Sequence, residues 1–127
     1  MVHDEHHEHL VKEIAEQFEP VFTKSPHGIY IYLDDKHKTC NKKFAEMLGY
    51  KSVADWVANE YPVGDVSEAD QEKVINAYGE ASRNLKASKV FASIVRKDGK
   101  KIKVNIIMAP ITYKGEVFVI HFISEEK

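Results

Sequence analysis

Between Gly28 and Tyr50 the chain reads GIYIYLDDKHKTCNKKFAEMLGY, which holds a strand, a turn, a returning strand and a helix in one short span. Ile29, Tyr30, Ile31, Tyr32 and Leu33 alternate aliphatic residues with tyrosines, the period of two that gives a strand two different faces. Pro26, His27 and Gly28 break whatever precedes, Asp34, Asp35 and Lys36 supply a turn, and His37 to Cys40 are enough to return. Asn41 offers the side-chain oxygen that a helix N-terminus needs. Phe44, Ala45, Met47 and Leu48 then give that helix an apolar side, and Gly49 stands where a left-handed C-cap belongs. Neither this segment nor the rest of the chain carries a phosphate-loop glycine pattern or a nucleophile elbow. The pattern points to a binding or sensing module before any enzyme.

A chain of 127 residues, 43% apolar and 30% charged, suits a single globular domain. Its net charge of −2, with lysines interleaved among acids, gives no basic patch for nucleic acid. The longest apolar run, Ile106 to Ile111, is far short of the roughly 20 residues that span a bilayer. The N-terminus lacks the basic-then-apolar order of a signal peptide, and Cys40 has no partner for an internal disulfide. These features lead us to expect a cytoplasmic protein with neither nucleic acid nor membrane as partner.

Residues 3 to 19 read as a helix, with Leu10, Val11, Ile14, Phe18 and then Val21 on one side and Pro20 ending it. Spacings of three and four resemble a short coiled-coil seam, too brief to hold alone, so the helix must pack on the domain or on a second copy. This divides the chain into a flanking, dimerising helix at 1–21 and a domain at 22–127. Ser52 caps a second short helix bearing Val53, Trp56 and Val57, and Tyr61 to Gly64 form a loop. Ser67 and Asp70 have capping-box spacing before a helix whose buried side carries Val74, Ile75, Tyr78, Ala81 and Leu85. A meander closes the chain. Val90 to Arg96 leads through the Asp98-Gly99 turn to Lys101–Ile111, where Ile102, Val104, Ile106 and Met108 share a face. After Gly115 the last strand, Val117 to Ile123, is apolar on both faces, which leaves its register and the side taken by His121 open. The expected fold is α+β: a five-stranded antiparallel sheet with helices on one face and an N-terminal flanking helix.

This order resembles the PAS domain family. Asn41 to Tyr50 is similar to the family's N-x-x-F-x-x-x-x-G-Y helix, and Lys97-Asp98-Gly99 to its K-D-G hairpin, with Gly115 at the turn into the last strand. Asp65 to Asp70 stands where relatives often carry His-Pro-Asp-Asp, which is absent here. The resemblance spans about Phe22 to Ser124 and implies a half-barrel whose concave side can hold a cofactor or small ligand, with signals passing through the sheet to flanking helices.

The residues argue against two chromophores. Light-oxygen-voltage domains place Cys directly after Asn on a later helix, whereas here Cys40 precedes Asn41. Haem-binding relatives commonly ligate iron through a His on the long helix, and residues 67 to 87 contain none, which leaves His37 and His121 on strands. His3, His6, His7 and His9 have helical chelating spacing, with Asp4, Glu5 and Glu8 beside them, although a solvated terminus is the simpler account. The sequence assigns no metal site. The candidates to face a small-molecule cavity are Phe44, Met47, Tyr61, Tyr78, Ile94, Val104, Ile106 and Met108, set against the simpler expectation that they fill a solid core. The dimer candidates are Leu10, Val11, Ile14 and Phe18 on the helix, and Tyr30, Tyr32 and Ile107, with Ala109, on the outer sheet face.

The expected function is a non-enzymatic sensory module that forms a homodimer, binds a small molecule in its core and signals in trans to a partner protein. The alternatives are a ligand-free interaction adaptor and a metal-responsive protein using the His-rich terminus.

Overall fold

The computed structural model describes residues 2–126, with side chains from His6 onward. The first helix, α1 (Val2–Gln17), is followed at once by α2 (Glu19–Lys24). Pro20 therefore does not end a helix but opens the second one. In a first helical turn the missing amide proton costs nothing, and the chain turns instead at Phe18. The expected boundary between residues 21 and 22 falls inside α2.

β1 (Gly28–Asp34) and β2 (His37–Cys40) form the first hairpin, followed by α3 (Lys42–Met47) and α4 (Val53–Val57). The Tyr61–Gly64 stretch is more ordered than a loop, since Pro62–Asp65 form a 3-10 turn. After a second such turn at Glu68–Asp70, the long helix α5 (Gln71–Asn84) leads to β3 (Ser88–Val95), β4 (Lys101–Tyr113) and β5 (Glu116–Glu125). All five strands pair antiparallel in the order β2-β1-β5-β4-β3, so the last strand lies in the middle. Gly99 and Gly115 sit at φ +88° and +85° in the two hairpin turns, a conformation that other residues adopt only under strain.

The residues that define the Asn41–Tyr50 motif each have a physical task. Asn41 Oδ1 accepts from Phe44 N at 2.9 Å and from Ile29 N at 3.0 Å, while Nδ2 donates to the carbonyls of Phe22 and His27. One side chain thus caps α3 and ties it to the start of β1. Phe44 enters the core, and Gly49, at φ +82°, ends the helix. The freed carbonyls of Met47 and Leu48 accept from Arg96 Nη1 at 2.6 Å and Lys97 N at 2.9 Å, which joins the motif to the β3–β4 hairpin. Tyr50 donates its hydroxyl to Asp65 Oδ2 at 2.6 Å.

The Ser67–Asp70 pair does not make the expected capping box. The Asp70 carboxylate accepts from Ser93 N of β3 at 2.8 Å and from Ser67 Oγ, because the neighbouring strand offers a better-placed donor than the helix terminus. Nor are all five expected residues of α5 buried. Val74 and Ala81 are, but Ile75 and Leu85 are half exposed, Leu85 because it ends the helix in the left-handed region at φ +55°.

Two apolar layers sandwich the sheet. On the inner face α3, α4 and α5 cover Ala92, Ile94, Val104, Ile106, Met108, Val119 and Ile123, with Trp56 buried among them. On the outer face Leu10, Val11 and Ile14 of α1 pack on Ile29, Ile31, Phe118 and Ile120. Leu10 and Ile14 are at most 2% exposed, so α1 is a closed part of its own domain. A polar latch finishes the docking: Tyr113 Oη donates to Glu13 Oε1 at 3.1 Å and Lys114 Nζ pairs with the same carboxylate at 3.0 Å.

Candidate functional site

The β1 alternation separates its faces opposite to expectation. The aliphatic residues Ile29 and Ile31 turn outward beneath α1, and Tyr30 and Tyr32 turn inward. They are therefore not on the outer face with Ile107. The inner layer accepts flat rings: Tyr30 lies 4.8 Å from Phe44 and 5.1 Å from Trp56, ring centre to ring centre.

The strand register resolves His121. Tyr30 pairs with His121 across β1–β5 and Met108 pairs with it across β4–β5, so its ring shares the inner face with theirs. The imidazole stacks on Tyr30 at 3.8 Å with an interplanar angle of 13°. Tyr78 of α5 lies nearly parallel to it at 6.3 Å, and Tyr32 meets Tyr78 edge-on at 5.2 Å. Burial pushes His121 down to about 3, against the raising effect of backbone contacts with Val119 and Tyr30, so the ring is neutral near pH 7. Burial likewise holds the Tyr30, Tyr32 and Tyr78 hydroxyls above the usual tyrosine range.

These rings form one wall of a cavity of about 180 Å³ between α5, the Pro62–Asp65 turn and the sheet. Val63, Val66, Val74 and Met108 supply its apolar remainder, and Ile75 stands at its edge. Asp35 marks the polar mouth, where its carboxylate accepts from the Tyr32 hydroxyl. Among the described residues no Lys or Arg side chain lines the cavity. The nearby cation, Lys38, is buried and otherwise engaged. Its ammonium donates to Val57 O at 2.9 Å and to Asp35 O, and it lies over Trp56.

Of the eight cavity candidates, Tyr78 and Met108 line this space. Phe44, Ile94 and Ile106 instead border a gap of about 30 Å³ deeper in the core, room for little more than one water. Val104 is fully buried filler, and Met47 packs against the core's edge. Tyr61 is corrected outright: it is 60% exposed, and its ring lies against Gly64, whose missing Cβ leaves it room. Tyr30, Tyr32 and His121 escaped the sequence reading because a strand with two apolar faces does not reveal which one points inward.

The other chemistry-bearing residues are placed as follows. Cys40 is buried and its thiol is pushed up to about 12 by desolvation, the state of a small hydrophobe rather than a nucleophile. His37 and His121 lie on opposite faces of the sheet, since His37 meets His7 of α1 while His121 meets Tyr78 of α5. Of the N-terminal histidines, His6 and His9 are exposed, His7 is buried against the sheet, and His3 lies outside the described side chains, as do Asp4 and Glu5. Among the described residues no helix is long and apolar enough to cross a membrane.

Known proteins place this geometry. A family model described as PAS domain matches residues 16–83. The PAS domain of an HTR-like protein from Haloarcula marismortui is 20% identical, with a TM-score of 0.66 over 96% of this chain and 99% of that one. The Vibrio cholerae protein VqmA, described as a dimer and a LuxR-type receptor, is 16% identical, with a TM-score of 0.68 over 88% of this chain and 51% of that one. Drosophila melanogaster Cycle PAS-B, solved with bound ethylene glycol, is 10% identical, with a TM-score of 0.65 over 78% of this chain and 99% of that one. No curated protein matches the chain. The residues matched by the family model, the sheet order and the capped Asn41–Tyr50 helix agree: the chain belongs to the PAS domain family, whose members are typically sensory and signalling modules.

Proposed function

We propose that this PAS domain senses a small, flat, uncharged molecule in the cavity walled by Tyr30, His121 and Tyr78. The observation that carries this reading is the near-parallel set of rings facing an apolar space with one acidic mouth. A neutral imidazole and three tyrosine rings favour an aromatic or otherwise planar guest, and without a lining cation a carboxylate or phosphate would be poorly held. At about 180 Å³ the space lies below the roughly 300–1,000 Å³ of drug-sized sites and far below a haem or flavin. It suits a one-ring metabolite. Filling it would press on α5 and on the central strand β5, and through β5 on the outer face where α1 is docked. Output then leaves in trans, to a signalling protein in the cytoplasm.

Homodimerisation belongs to the same reading, with a changed surface. Leu10, Val11 and Ile14 are committed to their own sheet, while Phe91 and Ile107 on the uncovered β3–β4 end of the outer face are 50% and 43% exposed. We take that end, beside the flanking helix, as the surface for a second copy; VqmA is described as a dimer. Native mass spectrometry of the untagged protein, with an absorption spectrum of the same sample, tests both parts. A dimer carrying a constant extra mass supports the sensor. A bare dimer that shows no thermal shift with one-ring metabolites moves the assignment to a ligand-free adaptor, a reading favoured by the full burial of Val104.

A further inference from the structure

The pairing of β1 with β2 contains an irregularity. Tyr32 pairs with Lys38, yet Asp34 pairs with His37, so two steps along β1 match one step along β2. A bulge of this kind turns successive side chains to the same side. Leu33 packs in the outer layer, and Asp34 follows it to the face of its partner His37 instead of joining Tyr30 and Tyr32 inside. There it meets α1. His37 Nδ1 lies 2.7 Å from Asp34 Oδ1, and His7 Nδ1 lies 3.7 Å from Asp34 Oδ2. The two imidazoles meet edge to face at 5.4 Å. On the far side of His7, Nε2 lies 3.4 Å from Glu116 Oε2 at the start of β5.

We propose that His7, Asp34 and His37 form a divalent transition-metal site, of the Zn²⁺ class, that bolts α1 to the β1–β2 hairpin. The ligand atoms of these three residues lie within 4.8 Å of one another. A Zn²⁺ ion with bonds near 2.0–2.1 Å needs its ligand atoms roughly 3.3 Å apart, so both imidazoles and the Asp34 carboxylate, whose Oδ1 also accepts from Lys36 N at 2.9 Å and His37 N at 2.8 Å, would close in on the ion together. Two nitrogens and a carboxylate oxygen suit Zn²⁺, and water or a further ligand would complete the coordination. With Nδ1 on the metal, Nε2–H of His7 donates to Glu116, the outer carboxylate that ordinarily orients a ligating histidine. Glu116 is then a positioning residue and not a ligand. The site goes beyond the cavity reading and is independent of it. It lies on the opposite face of the sheet and controls the docking of the flanking helix, where a metal ion would set how tightly α1 is held.

The test is Zn²⁺ titration of the full, untagged chain by competition with a chromophoric chelator, with Co²⁺ as an optical probe of the coordination sphere. The expected result is one Zn²⁺ per chain, ligand-field absorption from Co²⁺, and slower amide exchange in α1 with Zn²⁺ present. Asp34→Asn and His37→Gln should each weaken binding at least tenfold, and Glu116→Gln by roughly 10- to 100-fold. His6→Ala and His9→Ala should leave it unchanged. If His37→Gln fails to fold by circular dichroism, Asp34→Asn, on a half-exposed side chain, carries the test. No stoichiometric Zn²⁺, or binding that survives Asp34→Asn in folded protein, overturns the assignment. Loss of binding with His9→Ala also overturns it, because that places the ion on the exposed helix histidines.

Discussion

The imidazole of His121 lies flat on the ring of Tyr30, 3.8 Å away at 13°, in the middle of the sheet and facing the helices. Both residues stand at paired positions of neighbouring strands, so the stack is held by backbone register as well as by packing. A neutral ring there serves the core and the cavity together, and a charged one serves neither.

That arrangement gives the protein a defined acid sensitivity. A histidine held at about 3 against an ordinary 6.5 binds fewer protons folded than unfolded. Its effect on stability is absent above about 6.5 and grows as the pH falls from there toward 3. Near pH 4.5 the loss should reach about 2 to 3 kcal/mol. Urea unfolding of the parent and of His121→Phe at pH 7 and pH 4.5 isolates this contribution. The variant should lose less stability on acidification by about that amount, and equal losses would place the sensitivity elsewhere.

Asn41→Ala should be among the most damaging single changes in the chain. It strips the N-cap of α3, leaves the buried amide of Ile29 without its acceptor, and frees the carbonyls of Phe22 and His27. A cost of about 2 to 4 kcal/mol is expected from urea unfolding. Asn41→Asp keeps both acceptor contacts and should fall between the two.

Ile14→Ala opens a void between α1 and the sheet and should cost about 2 to 5 kcal/mol. Because α1 is docked within its own domain, the measured loss should not depend on protein concentration. A loss that deepens on dilution would mean that the helix packs on a second copy.

Val74→Phe replaces an aliphatic side chain of α5 at the cavity wall with a bulkier aromatic ring. The domain should stay folded, at a cost of about 1 to 3 kcal/mol from overpacking, and lose any ligand-dependent thermal shift that the parent shows. A shift that persists unchanged would place the guest outside this cavity.

On the opposite face of the sheet, Ile107→Lys with Phe91→Lys alters only exposed positions. Stability should change little, and light scattering should report a monomer if this face pairs the two copies. A dimer that survives both lysines excludes it.

Much of the fold was legible in the sequence because its signals are local. Asn41 as a cap, Gly49, Gly99 and Gly115 at positive φ, and Ser52 before α4 each satisfy a need arising within a few residues. Alternation fixed which residues share a face: Ile29 with Ile31, Tyr30 with Tyr32, and Val104 with Ile106 and Met108. Pro20 was misread because a proline that closes one helix and a proline that opens the next look alike until the turn between them is placed.

What the sequence determined, then, was the order of elements and the two-sidedness of each strand. What only the tertiary structure decided was which side faced which layer. A period of two is symmetric under exchange of faces, and β1 and β5 are apolar on both. The choice was made by long-range packing: α1 needed the aliphatic face, which left Tyr30, Tyr32 and His121 to meet Phe44, Trp56 and Tyr78. The same holds for His7, Asp34 and His37, which are brought together by a bulge and a docked helix. No local spacing encodes such a meeting, because it arises from the sum of burial over both faces of the sheet.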